Sequence, residues 1–239
     1  MSFKEFDITD SPNPANVKRA SFIYEAQSLF QPMRLLSQSL KLAKAKKGNG
    51  QRIMLLPGLK SNELAMYPLK KYLSALGYAP EDWGLGINHG YVEQYRDKIV
   101  ARLQKEANQS KITLIGWSLG GTIAREIARI LPEKIQSVVT YGSPAIGGPT
   151  YTIGEYFWDK EDTKRIKALI EEQDKTNPIQ VPMSIIFTKK DSIVSWAACL
   201  DKNSKNVKHY EVNSTHLSLG IDPSVWRIVT EHLENCATN

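Results

Sequence analysis

A chain of 239 residues fits one domain with a sizeable core, and 41% hydrophobic with 23% charged residues is ordinary for a globular protein in water. The net charge of +6 raises nucleic acid or an anionic membrane as partner. Only Lys41, Lys44, Lys46 and Lys47 cluster, the other basic residues being dispersed among acids, and no RNA-binding or helix-turn-helix signature occurs, so nucleic acid is set aside.

Residues 1–14 are polar, hold two prolines and read as irregular. No apolar stretch follows a basic start, so no secretory signal is expected, and no run approaches the length of a membrane span. From residue 15 to 47 the pattern is helical. Leu29, Met33, Leu36, Leu40 and Ala43 share one face, and Pro32 marks the start of a second helix. After Gly48-Asn49-Gly50, Arg52–Leu56 reads as a buried strand ending at Pro57-Gly58. A helix is predicted over 62–76, a strand over 83–87 ending at Asn88-His89-Gly90, a helix over 91–107, a strand over 111–116 and a helix over 122–130. A strand over 135–141 leads into a looser segment, 148–177, followed by strands over 182–188 and 207–212 and a closing helix over 223–233. Strands alternating with helices predict an α/β fold with a mostly parallel sheet covered on both faces. Reactive groups should then gather at the carboxyl ends of the strands.

The string Gly116-Trp117-Ser118-Leu119-Gly120 is the strongest chemical signal. Gly-x-Ser-x-Gly alone is weak. Here a buried strand runs into it and a helix opens after it, which is the setting a strained, activated serine needs. A serine hydroxyl becomes a good nucleophile only when a base takes its proton. Of four histidines, His209 falls within a predicted strand, His232 within the last helix, and His89 precedes the serine. His216 follows the last strand on a loop and is the expected base. The acid that orients it is expected at Asp191, just past the strand 182–188, with Asp201 the competitor. Oxyanion donors are expected from the backbone N–H groups of Leu119 and Leu59, with Lys60 as the alternative to Leu59. Cys199 and Cys236 match no metal spacing, so no metal site is expected; they read as free thiols, and the cytoplasm as the compartment.

With these residues in place, the chain resembles the α/β-hydrolase superfamily over nearly all of residues 50–235. Within it the chain looks like bacterial esterase/lipase-type hydrolases related to triacylglycerol lipases. The shared strings are Leu55-Leu56-Pro57-Gly58, Trp83-Gly84-Leu85-Gly86-Ile87-Asn88, Gly116 through Gly121, Tyr141-Gly142-Ser143-Pro144 and Thr215-His216-Leu217. The resemblance implies ester hydrolysis through an acyl-enzyme on Ser118, without a cofactor. Many relatives carry His-Gly where this chain has Pro57-Gly58, which bears on the oxyanion loop rather than on activity.

The expected organisation is an N-terminal helical extension over 1–50 and an α/β-hydrolase domain over 51–239 with a small cap near 148–177. Phe157 and Trp158 in that cap are expected to wall the substrate pocket, against the blander role of packing the segment down. The substrate expected is a small-molecule or lipid ester. Thioesterase, amidase or acyltransferase chemistry would use the same parts, and a non-catalytic ligand-binding module would keep the pocket without turnover. Residues 29–47, apolar on one side and lysine-rich at one end, fit weak peripheral contact with a membrane and equally fit a helix packed on the hydrolase body.

Overall fold

Six short runs of the chain pair into one sheet in the computed structural model, which describes residues 3–106, 109–156 and 159–236. The strands are β1 (Arg52–Leu56), β2 (Ala79–Asp82), β3 (Ile112–Trp117), β4 (Ile135–Tyr141), β5 (Met183–Phe187) and β6 (Val207–Glu211). Their order is β2-β1-β3-β4-β5-β6, and every neighbouring pair is parallel.

Parallel strands need crossovers, and here helices supply most of them. The α-helices are α1 (Gln31–Ser37), α2 (Ser39–Leu42), α3 (Glu63–Ala75), α4 (Val92–Lys105), α5 (Leu119–Ile130), α6 (Lys160–Thr176) and α7 (Pro223–Cys236). Side chains alternate across a strand, so β1 feeds two cores at once. Ile53 and Leu55 pack with α3 and α7 on one face, while Met54 and Leu56 pack with α4 and α5 on the other. Burial on both faces makes these strands near-continuous apolar runs rather than alternating ones. The chain goes from β1 outward to β2, then crosses back to place β3 on the other side of β1. That reversal opens a crevice at the carboxyl ends of β1 and β3, where ligands of open α/β sheets bind.

Three expectations need correction. The second strand lies at Ala79–Asp82 and not at 83–87. It carries Pro80, which a strand tolerates at a sheet edge, and β2 is the edge. Trp83 instead opens a turn, its indole N–H donating to the Gly86 carbonyl at 3.1 Å. Segment 148–177 is more regular than a loose connection: two 3-10 turns, Gly148–Tyr151 and Ile153–Tyr156, precede the 17-residue helix α6. Asp159 starts α6 by accepting the Glu161 N–H at 2.8 Å. The N-terminal stretch is helical mainly from Phe22, not continuously from residue 15: a 3-10 helix over Phe22–Phe30 meets α1 beside Pro32, as expected, and α2 follows. Leu29, Met33 and Leu36 do share a face, and it points to solvent, each more than 70% exposed. Polar Glu25 and Gln31 are buried in their place. No helix among the described residues is long and apolar enough to cross a membrane.

Two histidines far from the crevice tie the fold to pH. Burial pushes His209 and His232 down from the usual 6.5 to about 4. The unfolded chain therefore binds more protons than the folded one between those values, and stability is lost as pH falls through them. The urea unfolding midpoint should decline from pH 6.5 to about 4, the span set by these two groups, and be level above it. A midpoint constant across that span would contradict the burial of both imidazoles.

Candidate active site

Residue Ser118 sits between β3 and α5 with φ 52° and ψ −123°. A side chain rarely adopts such a left-handed backbone, which costs on the order of 1–3 kcal/mol and persists only where the surroundings enforce it. The enforcing contacts are steric. A Cβ on Gly116 would lie 2.4 Å from the Gly121 backbone, and one on Gly120 would lie 2.2 Å from the Leu56 carbonyl oxygen. Only glycines let β3 turn into α5 this tightly against β1. The Ser118 amide donates to the Tyr141 carbonyl at 2.9 Å, fixing the turn to β4 as well.

His216 reaches Ser118 from the loop after β6. Its Nε2 lies 3.1 Å from Ser118 Oγ, and its Nδ1 lies 2.8 Å from Asp191 Oδ2. With Nδ1–H donating to the carboxylate, Nε2 presents a lone pair to the serine hydroxyl. Asp191 is held in turn: its other oxygen accepts the amides of Ile193 at 2.8 Å and Val194 at 2.7 Å. The Thr188 hydroxyl donates to the Ser214 carbonyl at 2.7 Å, lacing the end of β5 to the loop of His216. Asp191 and His216 are both buried, and Ser118 is partly open. The Trp117 ring packs beside the imidazole, with centroids 6.0 Å apart.

The competitors are engaged elsewhere. Asp201 Oδ2 accepts from the Arg125 guanidinium at 2.9 Å. Burial pushes the Asp201 carboxyl up, but the Arg125 charge and bonds from Ser204 and Asn203 outweigh it and hold it below the usual carboxylate range. His209 Nε2 accepts the Asp201 amide at 3.1 Å, and His232 Nδ1 lies 2.8 Å from Ser184 Oγ. His89 is exposed.

The turn after β1 lies against Ser118; a Cβ on Gly58 would lie 3.2 Å from Ser118 Cβ. Among the described residues nothing accepts the backbone N–H of Leu59 or of Leu119, so both are free to donate. Lys60 is not: its N–H donates to the Asn88 carbonyl at 2.7 Å, and it takes a left-handed φ of 58°. Asn88 is the residue that sequence reasoning passed over as part of a turn. Fully buried, it donates through Nδ2 to the Pro57 carbonyl at 2.9 Å and through its amide to the Ser61 carbonyl at 2.9 Å. Its place at the end of the shared string Trp83 through Asn88 and an amide side chain in the turn after β2 were the signals for it. Phe157 and Trp158 lie outside the described residues. No group of three or more His, Cys, Asp or Glu among the described residues could hold a metal ion.

A family profile described as "alpha/beta hydrolase fold" matches residues 76–160. The pimeloyl-[acyl-carrier protein] methyl ester esterase of Salmonella heidelberg is 37% identical over 60 residues, which are 25% of this chain and 23% of that one. The chain thus spans under a quarter of that relative's length. Among solved structures, a lipase-esterase related protein from Clostridium acetobutylicum superposes with a TM-score of 0.55 at 20% identity, covering 80% of this chain and 97% of the other. The monoacylglycerol lipase of Paleococcus ferrophilus gives 0.57 at 16% identity, covering 80% and 98%.

The geometry makes Asn88 a support for the turn that carries the free Leu59 N–H. Asn88→Ala frees the Pro57 carbonyl and the loop that carries Leu59. Reaction of Ser118 with a fluorophosphonate, which develops charge on the phosphoryl oxygen, should slow by about 10- to 100-fold, comparable to losing part of an oxyanion site. Peptide mapping with timed quenching measures it, and an unchanged labelling rate would show that the loop holds itself.

Proposed function

The chain has the alpha/beta hydrolase fold, and on that footing we propose that it is a serine hydrolase cleaving carboxylic esters through an acyl-enzyme on Ser118. The observation that carries the proposal is the continuous line from Ser118 Oγ to His216 Nε2 at 3.1 Å and from His216 Nδ1 to Asp191 Oδ2 at 2.8 Å. The partial likeness to a methyl ester esterase supports the same bond type.

In the proposed reaction, Ser118 Oγ attacks the ester carbonyl carbon as its proton passes to His216 Nε2. The carbonyl oxygen becomes an oxyanion facing the free N–H groups of Leu59 and Leu119. Asp191 keeps the imidazole in the reactive tautomer and stabilises the imidazolium. Collapse of the tetrahedral species expels the alkoxide, which takes the proton from His216 and departs as the alcohol. Water, deprotonated by the same Nε2, then attacks the acyl-serine and releases the acid and Ser118. No metal or cofactor enters these steps.

The mouth favours an apolar acyl group. Leu59 and Leu217, neighbours of the oxyanion turn and of the base, expose much of their side chains. Each buried methylene is worth about 0.8 kcal/mol, so each added acyl carbon should raise kcat/KM about threefold to fourfold until the available surface is used.

Two outcomes follow. Asp191→Asn should lower kcat by roughly 10⁴ by favouring the wrong tautomer, while Asp201→Asn should change kcat less than about tenfold and act on stability instead. Turnover of p-nitrophenyl butyrate with a parallel thermal melt separates the two, and reversed effects would make Asp201 the acid. Across p-nitrophenyl esters of increasing length, short to medium chains should be preferred. Trimming Phe157 and Trp158 to alanine should move the optimum, and an unmoved profile would remove them from the pocket wall.

A further inference from the structure

The buried carboxylate of Glu25, on the N-terminal helical stretch, is only 8% exposed and belongs to none of the steps above. Burying a carboxylate is costly unless donors surround it. Glu25 has three. Its Oε1 accepts the Ser192 hydroxyl at 2.7 Å and the His216 backbone N–H at 3.2 Å, and its Oε2 accepts the Leu217 backbone N–H at 3.1 Å.

The identity of these donors is the point. Ser192 directly follows Asp191, and His216 and Leu217 are the base and its neighbour. One side chain from a segment more than 160 positions away thus joins the loop of the acid to the loop of the base. Neighbours in the same stretch reinforce the junction. The Ala20 amide donates to the Asp191 carbonyl at 2.9 Å. Gln31 Nε2 donates to Ser214 Oγ at 3.2 Å, and Arg34 Nη1 donates to the Asn213 carbonyl at 2.9 Å. The loop 213–217 lies beyond the last strand, so sheet pairing does not hold it.

Accordingly we infer that Glu25 is a positioning residue for His216, clamping the base loop against the acid loop so that Nε2 stays within reach of Ser118. The inference rests on the hydrolase assignment for Ser118, His216 and Asp191. A carboxylate suits the task because it only accepts: both oxygens can face N–H and O–H donors at once, whereas an amide must turn its own NH₂ toward one of them. A general base must be held to within about half an ångström, and a displacement near 1 Å costs about 10²-fold in rate.

The test uses the full chain with Glu25→Gln and Glu25→Asp. Gln keeps the size and sets a donor against the Leu217 N–H; Asp keeps the charge and falls one methylene short. Both should lower kcat for p-nitrophenyl butyrate by about 10- to 100-fold with KM within about twofold. In both, hydrogen exchange at the amides of His216 and Leu217 should speed up while the β3 and β4 amides stay protected. Should Gln fail to fold, Asp is read in the same way. Wild-type kcat in a folded variant, or a fall in kcat without faster exchange at these amides, would overturn the inference. If the wild type neither turns over the ester nor labels at Ser118, the hydrolase assignment fails instead. Exchange then decides the clamp alone, and unchanged protection in the variants overturns it.

Discussion

Everything in the crevice depends on how closely β3, α5 and β1 approach at the serine. The Cβ atoms missing from Gly116 and Gly120 would stand 2.4 Å and 2.2 Å from backbone atoms. That closeness forces Ser118 into its left-handed conformation, turns its hydroxyl out of the sheet and leaves the Leu119 N–H at the start of α5 without an acceptor among the described residues. The same approach brings the Gly58 turn, which precedes Leu59, against Ser118. Strain at one residue is sustained by three packed elements and serves as the origin from which the other groups are placed.

The remaining groups arrive on loops, which regular pairing does not hold. Each loop is fixed by polar contacts buried behind it. Asn88 secures the turn after β1, the Ile193 and Val194 amides secure Asp191, and Thr188 and Glu25 secure the segment bearing His216. A low-dielectric setting strengthens such bonds and penalises any left unmade, so a satisfied set gives one well-defined arrangement. The first part of the N-terminal helical stretch exposes Leu29, Met33 and Leu36 and buries Glu25 and Gln31 because its contacts there are with polar groups of loops, whereas further along Leu35 and Leu42 join the core shared with α3 and α7.

How far the sequence disclosed this follows from where each residue sits. Strands β1 and β3 to β5 were legible because burial on both faces wrote them as apolar runs between turn residues, and edge strand β6, buried only at His209 and Tyr210, was read from its alternating pattern. Strand β2 was missed because an edge strand reading Ala-Pro-Glu-Asp has no apolar run, and the apolar Trp83 beside it drew the assignment onward. Helix α6 was underrated because its exposed, charged surface hides a weak apolar spacing. Ser118, Asp191 and His216 could be named as candidates from the sequence because each comes at or shortly after the end of a strand, where open α/β sheets concentrate reactive groups, and the fold brings the three side chains together. Glu25 and Asn88 act through backbone groups distant in sequence. No local pattern marks a side chain whose partners are main-chain atoms of another loop.

The central claim is that Ser118 becomes covalently acylated with His216 as its base. Rapid-quench mass spectrometry of the wild-type chain mixed with p-nitrophenyl acetate tests it most directly, with His216→Ala as the comparison. An acetyl group should appear on the peptide bearing Ser118 in the wild type, in step with the first release of nitrophenol, and should be absent on the same timescale from His216→Ala. An acetyl group on another residue, ester turnover without any acyl intermediate at Ser118, or equal acylation of both proteins would contradict it.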